Sequence, residues 1–66
     1  EQNNLLSTRE FEILQLVAQG MTNREIADFL HLSKYTIECH IKHIYRKLSV
    51  SSRSKAINTA RSLGIL

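Results

Sequence analysis

The chain has 66 residues, one cysteine and no proline, so it forms one domain at most and has no internal disulfide; it needs economical packing, because a domain this small buries only about 60% of its unfolded surface. No apolar run approaches the roughly 18 residues of a membrane span, and no signal-peptide pattern opens the chain. The net charge of +3 is uneven: residues 1–33 carry −3 and residues 34–66 carry +6, which points to a polyanionic partner, nucleic acid first, against the plainer reading of a solvated basic face.

Residues 1–5 read as a polar leader or the end of a linker, and residues 6–66 as the domain. Two stretches, "STRE" and "TNRE", fit the capping-box pattern of Ser or Thr followed three residues later by Glu. Ser7 with Glu10 therefore starts a first helix, which Gly20 stops. Its apolar stripe is Phe11, Leu14, Val17 and Ala18, with Ile13 at the edge. Thr22 with Glu25 starts a short second helix carrying Ile26, Ala27 and Leu30. Ser33 caps a third helix, whose apolar residues Ile37, Ile41, Ile44 and Leu48 recur at spacings of four, three and four. Ser51 or Ser52 caps a fourth, which carries Ala56, Ile57, Ala60 and Leu63 and ends at Gly64. No segment alternates with period two. The expectation is an all-α fold: a compact four-helix domain.

Only "HL" separates the second helix from the cap of the third, which is the spacing of a helix-turn-helix. Most such pairs merely pack together, so function rests on what the third helix shows to solvent. At about 100° per residue, its four apolar residues fall within roughly 60° of one another. Tyr35, Glu38, Cys39, Lys42 and Arg46 lie on the far side. Lys34 and Thr36 near the helix start, and His43 and Lys47 at the flank, are placed to reach a phosphate backbone, and Arg46 lies where the helix would leave a groove. An α-helix fits the major groove of B-DNA, and lysine and arginine supply affinity by releasing counterions. Glu38 has two readings. It can accept a hydrogen bond from cytosine N4, or it can simply pair with Lys42 at i, i+4.

The motifs "LSTREFEIL", "AQGMTNREIA", "LHLSKYTIECHIKHIYRKL" and "SRSKAI", in this order and spacing, resemble the LuxR-type helix-turn-helix domain, also called the GerE or FixJ/NarL C-terminal domain. The likeness runs from Leu6 to Leu66. It implies the DNA-binding output domain of a bacterial transcription regulator, with a recognition helix over about 34–48 and a cytoplasmic location. The family's base-reading positions correspond to Glu38, Cys39 and Lys42. Its backbone-contacting positions correspond to Thr22, Asn23, Thr36, His43 and Lys47, to which the outward face of the third helix adds Lys34, Tyr35 and Arg46. Family members often carry lysine where this chain has Glu38, which leaves the target sequence open. The fourth helix usually carries the dimer contact. Here Ser54, Asn58, Arg61 and Ser62 form its outward strip, and so polar a strip implies a weak homodimer, strengthened on double-stranded DNA. RNA polymerase is a further partner that the resemblance admits; a membrane is not.

Rival readings are weaker. Cys39 and His43 share a face at i, i+4, and His31 and His40 are near in sequence, but zinc needs four converging ligands. His40 lies about 60° from the core stripe and Cys39 opposite it, so they cannot share a metal, and His40 reads as a packed, hydrogen-bonded flank residue. No nucleophile–base pair or Gly-rich loop emerges, so neither an enzyme nor a cofactor is expected. A redox role for Cys39 near Lys42 is a minor alternative. A protein-interaction module is the serious one, because Phe29 and Leu16 fall off their stripes and read as exposed.

Overall fold

A computed structural model describes residues 5–66; most of the expected polar leader lies outside them. Four helices follow one another: α1 (Thr8–Ala18), α2 (Asn23–Leu30), α3 (Lys34–Leu48) and α4 (Arg53–Ser62). The described residues contain no strand. The fold is all-α, as the apolar periodicity predicts.

Each helix starts where a side chain satisfies its free amides. Ser7 and Glu10 close one capping box, the Ser7 hydroxyl accepting from the Glu10 amide at 3.1 Å and Glu10 Oε1 accepting from the Ser7 amide at 2.9 Å. Thr22 and Glu25 close the second at 3.1 and 2.8 Å. Ser33 and, of the two candidates, Ser52 cap α3 and α4.

The four ends share one motif, in which the chain turns through a left-handed residue or glycine and bonds back to the last turn. In α1, Gly20 (φ 93°) lets Met21 N–H donate to the Leu16 carbonyl at 3.2 Å. In α4, Gly64 (φ 78°) lets Ile65 N–H donate to Ala60 at 2.8 Å. α2 and α3 end the same way through His31 and Ser49, both at φ 58°, with Leu32 donating to Ala27 and Val50 to Tyr45, each at 2.9 Å. The sequence offered no glycine to mark these two ends. His31 thus makes the turn of the helix-turn-helix in a backbone region that costs a residue with a Cβ roughly 1–2 kcal/mol.

α1 and α3 each pack against every other helix, whereas α2 and α4 do not pack on each other. This layout corrects four expectations. Ile13 is fully buried rather than at an edge, and Leu16 is buried rather than exposed, because α1 is surrounded by three helices and its apolar face must be broad. Leu63 is 53% exposed: α4 has already ended, and the turn at Gly64 inserts Ile65 into the core in its place. Ile57 is only partly buried, packed against the core. Phe29 is 64% exposed, as expected. Ile37, Ile41, Ile44 and Leu48 form the buried stripe of α3.

Replacing His31 with glycine relieves the left-handed strain at the cost of extra freedom in the unfolded chain. His31→Gly should stabilise the domain by about 0.5–1 kcal/mol, and thermal unfolding should show a rise of a few degrees, at about 4–8 °C per kcal/mol for a domain of this size.

Candidate nucleic-acid interface

With its stripe buried, α3 turns the opposite face outward over four turns. Tyr35, Glu38, Lys42, His43 and Arg46 are exposed, and Thr36 and Cys39 are half-buried. The helix is held at its start by Ser33, whose Oγ accepts from the Thr36 amide at 3.0 Å and lies 2.9 Å from Thr36 Oγ1. The Thr36 hydroxyl is therefore partly engaged in the cap. Tyr35 is 74% exposed; a hydrogen bond to Cys39, reinforced by the charge of the thiolate form and slight desolvation, holds its phenol above the usual value of 10.

Glu38 pairs with Lys34 rather than with Lys42 as the spacing allowed, at 3.5 Å between Oε2 and Nζ. Both side chains are well exposed, so the pair contributes about 0–1 kcal/mol. The Lys42 ammonium has no ion-pair partner among the described residues. The starts of α2 and α3 meet in a shallow cleft lined by Gly20, Thr22, Asn23, Arg24, Lys34 and Arg53. It brings three of the expected phosphate-contacting residues together (Thr22, Asn23 and Lys34) and adds two cations that the sequence reading had not assigned.

Arg53 is one of these. Its guanidinium donates to the Val17 carbonyl at 3.2 Å and also to the Met21 carbonyl, tying the start of α4 to the end of α1. The only earlier sign of it was its place in the "SRSKAI" motif. Lys47 was assigned to the phosphate backbone by both periodicity and resemblance, but its Nζ lies 2.8 Å from Glu10 Oε1. Its charge is thus shared with α1, while the side chain itself stays exposed at the surface. His40 is half-buried as a flank residue should be, but its ring has no hydrogen-bond partner among the described residues.

The outward strip of α4, Ser54, Asn58, Arg61 and Ser62, is exposed, and Leu63 adds an apolar end to it. Among the described residues no three His, Cys, Asp or Glu side chains are grouped to hold a metal ion, and no helix is long and apolar enough to cross a membrane.

Comparison with known proteins decides the family. Residues 4–60 match the model for "Bacterial regulatory proteins, luxR family". The chain belongs to the LuxR family. It is a helix-turn-helix domain of the DNA-binding class of transcription regulators, not an enzyme. It is 51% identical over 63 residues to the uncharacterized response regulatory protein YgeK of Escherichia coli (strain K12), covering 96% of this chain and 43% of that protein. It is 48% identical over 66 residues to the transcriptional regulatory protein ComA of Bacillus subtilis (strain 168), covering 100% of this chain and 31% of that one. The chain thus spans less than half the length of these two relatives. The comparison with solved structures agrees: the transcription factor GerE superposes with a TM-score of 0.89 at 39% identity, covering 97% of this chain and 96% of the other.

In this LuxR-family domain Glu10 is the charged group most affected by the fold, with 5% of its surface exposed. Burial opposes its ionisation, but hydrogen bonds from Lys47 and Ser7 and the Lys47 charge outweigh it and hold the carboxyl below the usual 4.5. A depressed carboxyl stabilises the fold above its unfolded pKa, and that contribution is lost as pH falls through the folded value. Glu10→Gln, which keeps the capping box, should cost about 1 kcal/mol at pH 7, since the half-exposed lysine weakens the pair. Urea unfolding at stepwise lower pH should show the gap between variant and wild type start to narrow near pH 4.5 and close only below the lowered folded value.

Proposed function

We propose that α3 lies in the major groove of double-stranded DNA and reads base edges with Glu38, Cys39 and Lys42, while Thr22, Asn23, Lys34, Tyr35, Thr36, His43 and Arg46 hold the phosphates on either side. One observation carries this reading: a 15-residue helix buries a narrow stripe and leaves a continuous face of short polar and cationic side chains to solvent. Glu38 and Cys39 share one turn of the helix and Lys42 lies on the next, within reach of adjacent base pairs. The cleft at the starts of α2 and α3 adds two helix N-termini, whose free amides favour phosphate. The same reading places the protein in the bacterial cytoplasm.

The outer strip of α4 supports a homodimer that is weak alone and completed on DNA, where dimers set recognition helices on half-sites about one turn apart. Sedimentation of the free chain should show mainly monomer; a tight dimer would overturn the weak-association claim. RNA polymerase is a partner that this role implies for the regulator.

The test is a mobility-shift titration on a selected duplex and on random duplexes, with wild type and Lys42→Ala. Preferential loss on the selected duplex, by about 1–3 kcal/mol, supports base reading. Equal loss on both reduces Lys42 to a phosphate contact, and no salt dependence would indicate a protein partner at the exposed Phe29 instead.

Two further outcomes follow from the charges on this face. Glu38→Gln removes a carboxylate that phosphates repel, so it should tighten binding to random DNA. As a base reader it should also lose preference at one position of the selected sequence; unchanged random-DNA affinity would mean that Glu38 does not face the duplex.

Arg46 and Lys47 should now separate. Arg46→Ala should lower the slope of log affinity against log salt by about one, whereas Lys47→Met should leave the slope unchanged. A fall of about one in both would show that Lys47 leaves Glu10 for a phosphate.

A further inference from the structure

Glu10 is the sole charged side chain that is buried among the described residues, and it lies on α1, away from the face assigned to DNA. Its Oε1 accepts two hydrogen bonds: from the Ser7 amide at 2.9 Å and from Lys47 Nζ at 2.8 Å. The first fixes the carboxylate within the capping box that starts α1. The second reaches across the fold to the last turn of α3, where Lys47 flanks the buried residues Ile44 and Leu48.

Apolar packing alone leaves α3 a freedom that this contact removes. Hydrophobic burial is non-directional, and the buried stripe of α3 is only about 60° wide. A helix seated on so narrow a stripe can roll about its axis at little cost. Rolling by about 20° would carry side chains at a radius of roughly 6 Å sideways by about 2 Å, enough to break a hydrogen bond to a base edge. A charge-assisted hydrogen bond at the flank is directional and short, and its anchor is rigid. The depressed Glu10 carboxyl fits this view, because the partners overcome the cost of burial.

We propose that Glu10 is a positioning residue for DNA reading: through Lys47 it sets the roll of α3, and so the register of Lys42 and Arg46 on the duplex, without touching DNA. This rests on the major-groove reading of α3 above. It also gives a cation at position 47 a role in the interface while its ammonium bonds to Glu10.

Two variants of the 66-residue chain test it. Glu10→Gln keeps the capping box and loses the ion pair, and Lys47→Met keeps an apolar stem and loses the charge. Both are compared with wild type well below their melting temperatures, on a duplex selected by wild type from a random library and on random duplexes. Electrostatics alone predicts that Glu10→Gln binds every duplex more tightly, because a negative charge is gone. Positioning predicts the opposite on the selected duplex: an affinity loss of about tenfold in both variants, with random-duplex affinity held or raised in Glu10→Gln. Amide hydrogen exchange gives a readout independent of DNA. Exchange in residues 42–48 should accelerate by about tenfold more than in α2. Selectivity kept within about twofold together with unchanged exchange overturns the proposal, as does acceleration spread evenly over all four helices, which would make the tie a matter of global stability only. If wild type selects no sequence, the base-reading role of α3 falls, and the exchange measurement still decides whether Glu10 holds the helix.

Discussion

The structure depends on one constraint: α3 must bury a narrow stripe and keep the rest of its circumference in water. Ile37, Ile41, Ile44 and Leu48 meet α1, α2 and α4. Isoleucine suits this stripe because its branched side chain has one strongly preferred rotamer in a helix. The three other helices together bury that stripe, which no one of them would cover alone. α2 and α4 lie apart, so they enclose the inner side of α3 and leave the outer face clear.

Directional contacts then refine what packing only approximates. Two long-range ties hold the ends of α1 to the basic half of the chain, Lys47 at Glu10 and Arg53 at the carbonyls of Val17 and Met21. Both use cations that composition alone would count toward a polyanion. The charge of the second half is thus divided between two tasks, with Lys34, Lys42 and Arg46 open to solvent while Lys47 and Arg53 also bond to groups on the first half of the chain. Net charge measures attraction to DNA only after such internal pairs are set aside.

Helix ends show how local chemistry and strain are combined. Four side-chain caps start the helices and four reversals of one type end them. Glycine makes two of these reversals without strain; His31 and Ser49 make the other two against the preference of L-residues. The buried contacts of Leu32 and Val50 just beyond them, packed against the core, offset that cost. The turn between α2 and α3 therefore keeps its angle through packing on both sides, and this angle decides which face of α3 is presented.

Much was legible in the sequence, because helices are specified locally. Capping boxes lie within four residues, and a 3.6-residue period declares the buried side of a helix wherever that side is narrow, as in α3. Motif order and spacing carried the family. The misjudged residues depended on neighbours distant in the chain. Ile13 and Leu16 looked peripheral on a one-sided stripe, but α1 is packed on several sides. Leu63 continued the period of α4, but the chain had turned at Gly64 and Ile65 took the buried place. The pairing of Lys47 was not legible either, because nothing near it in sequence reveals a carboxylate 37 residues earlier. The sequence by itself determined the helices, their order and the polar face of α3, since short-range hydrogen bonds and periodic burial set these. Only the tertiary structure decided which charges remain free to act, because an ion pair between distant residues exists only once the core has brought the helices together.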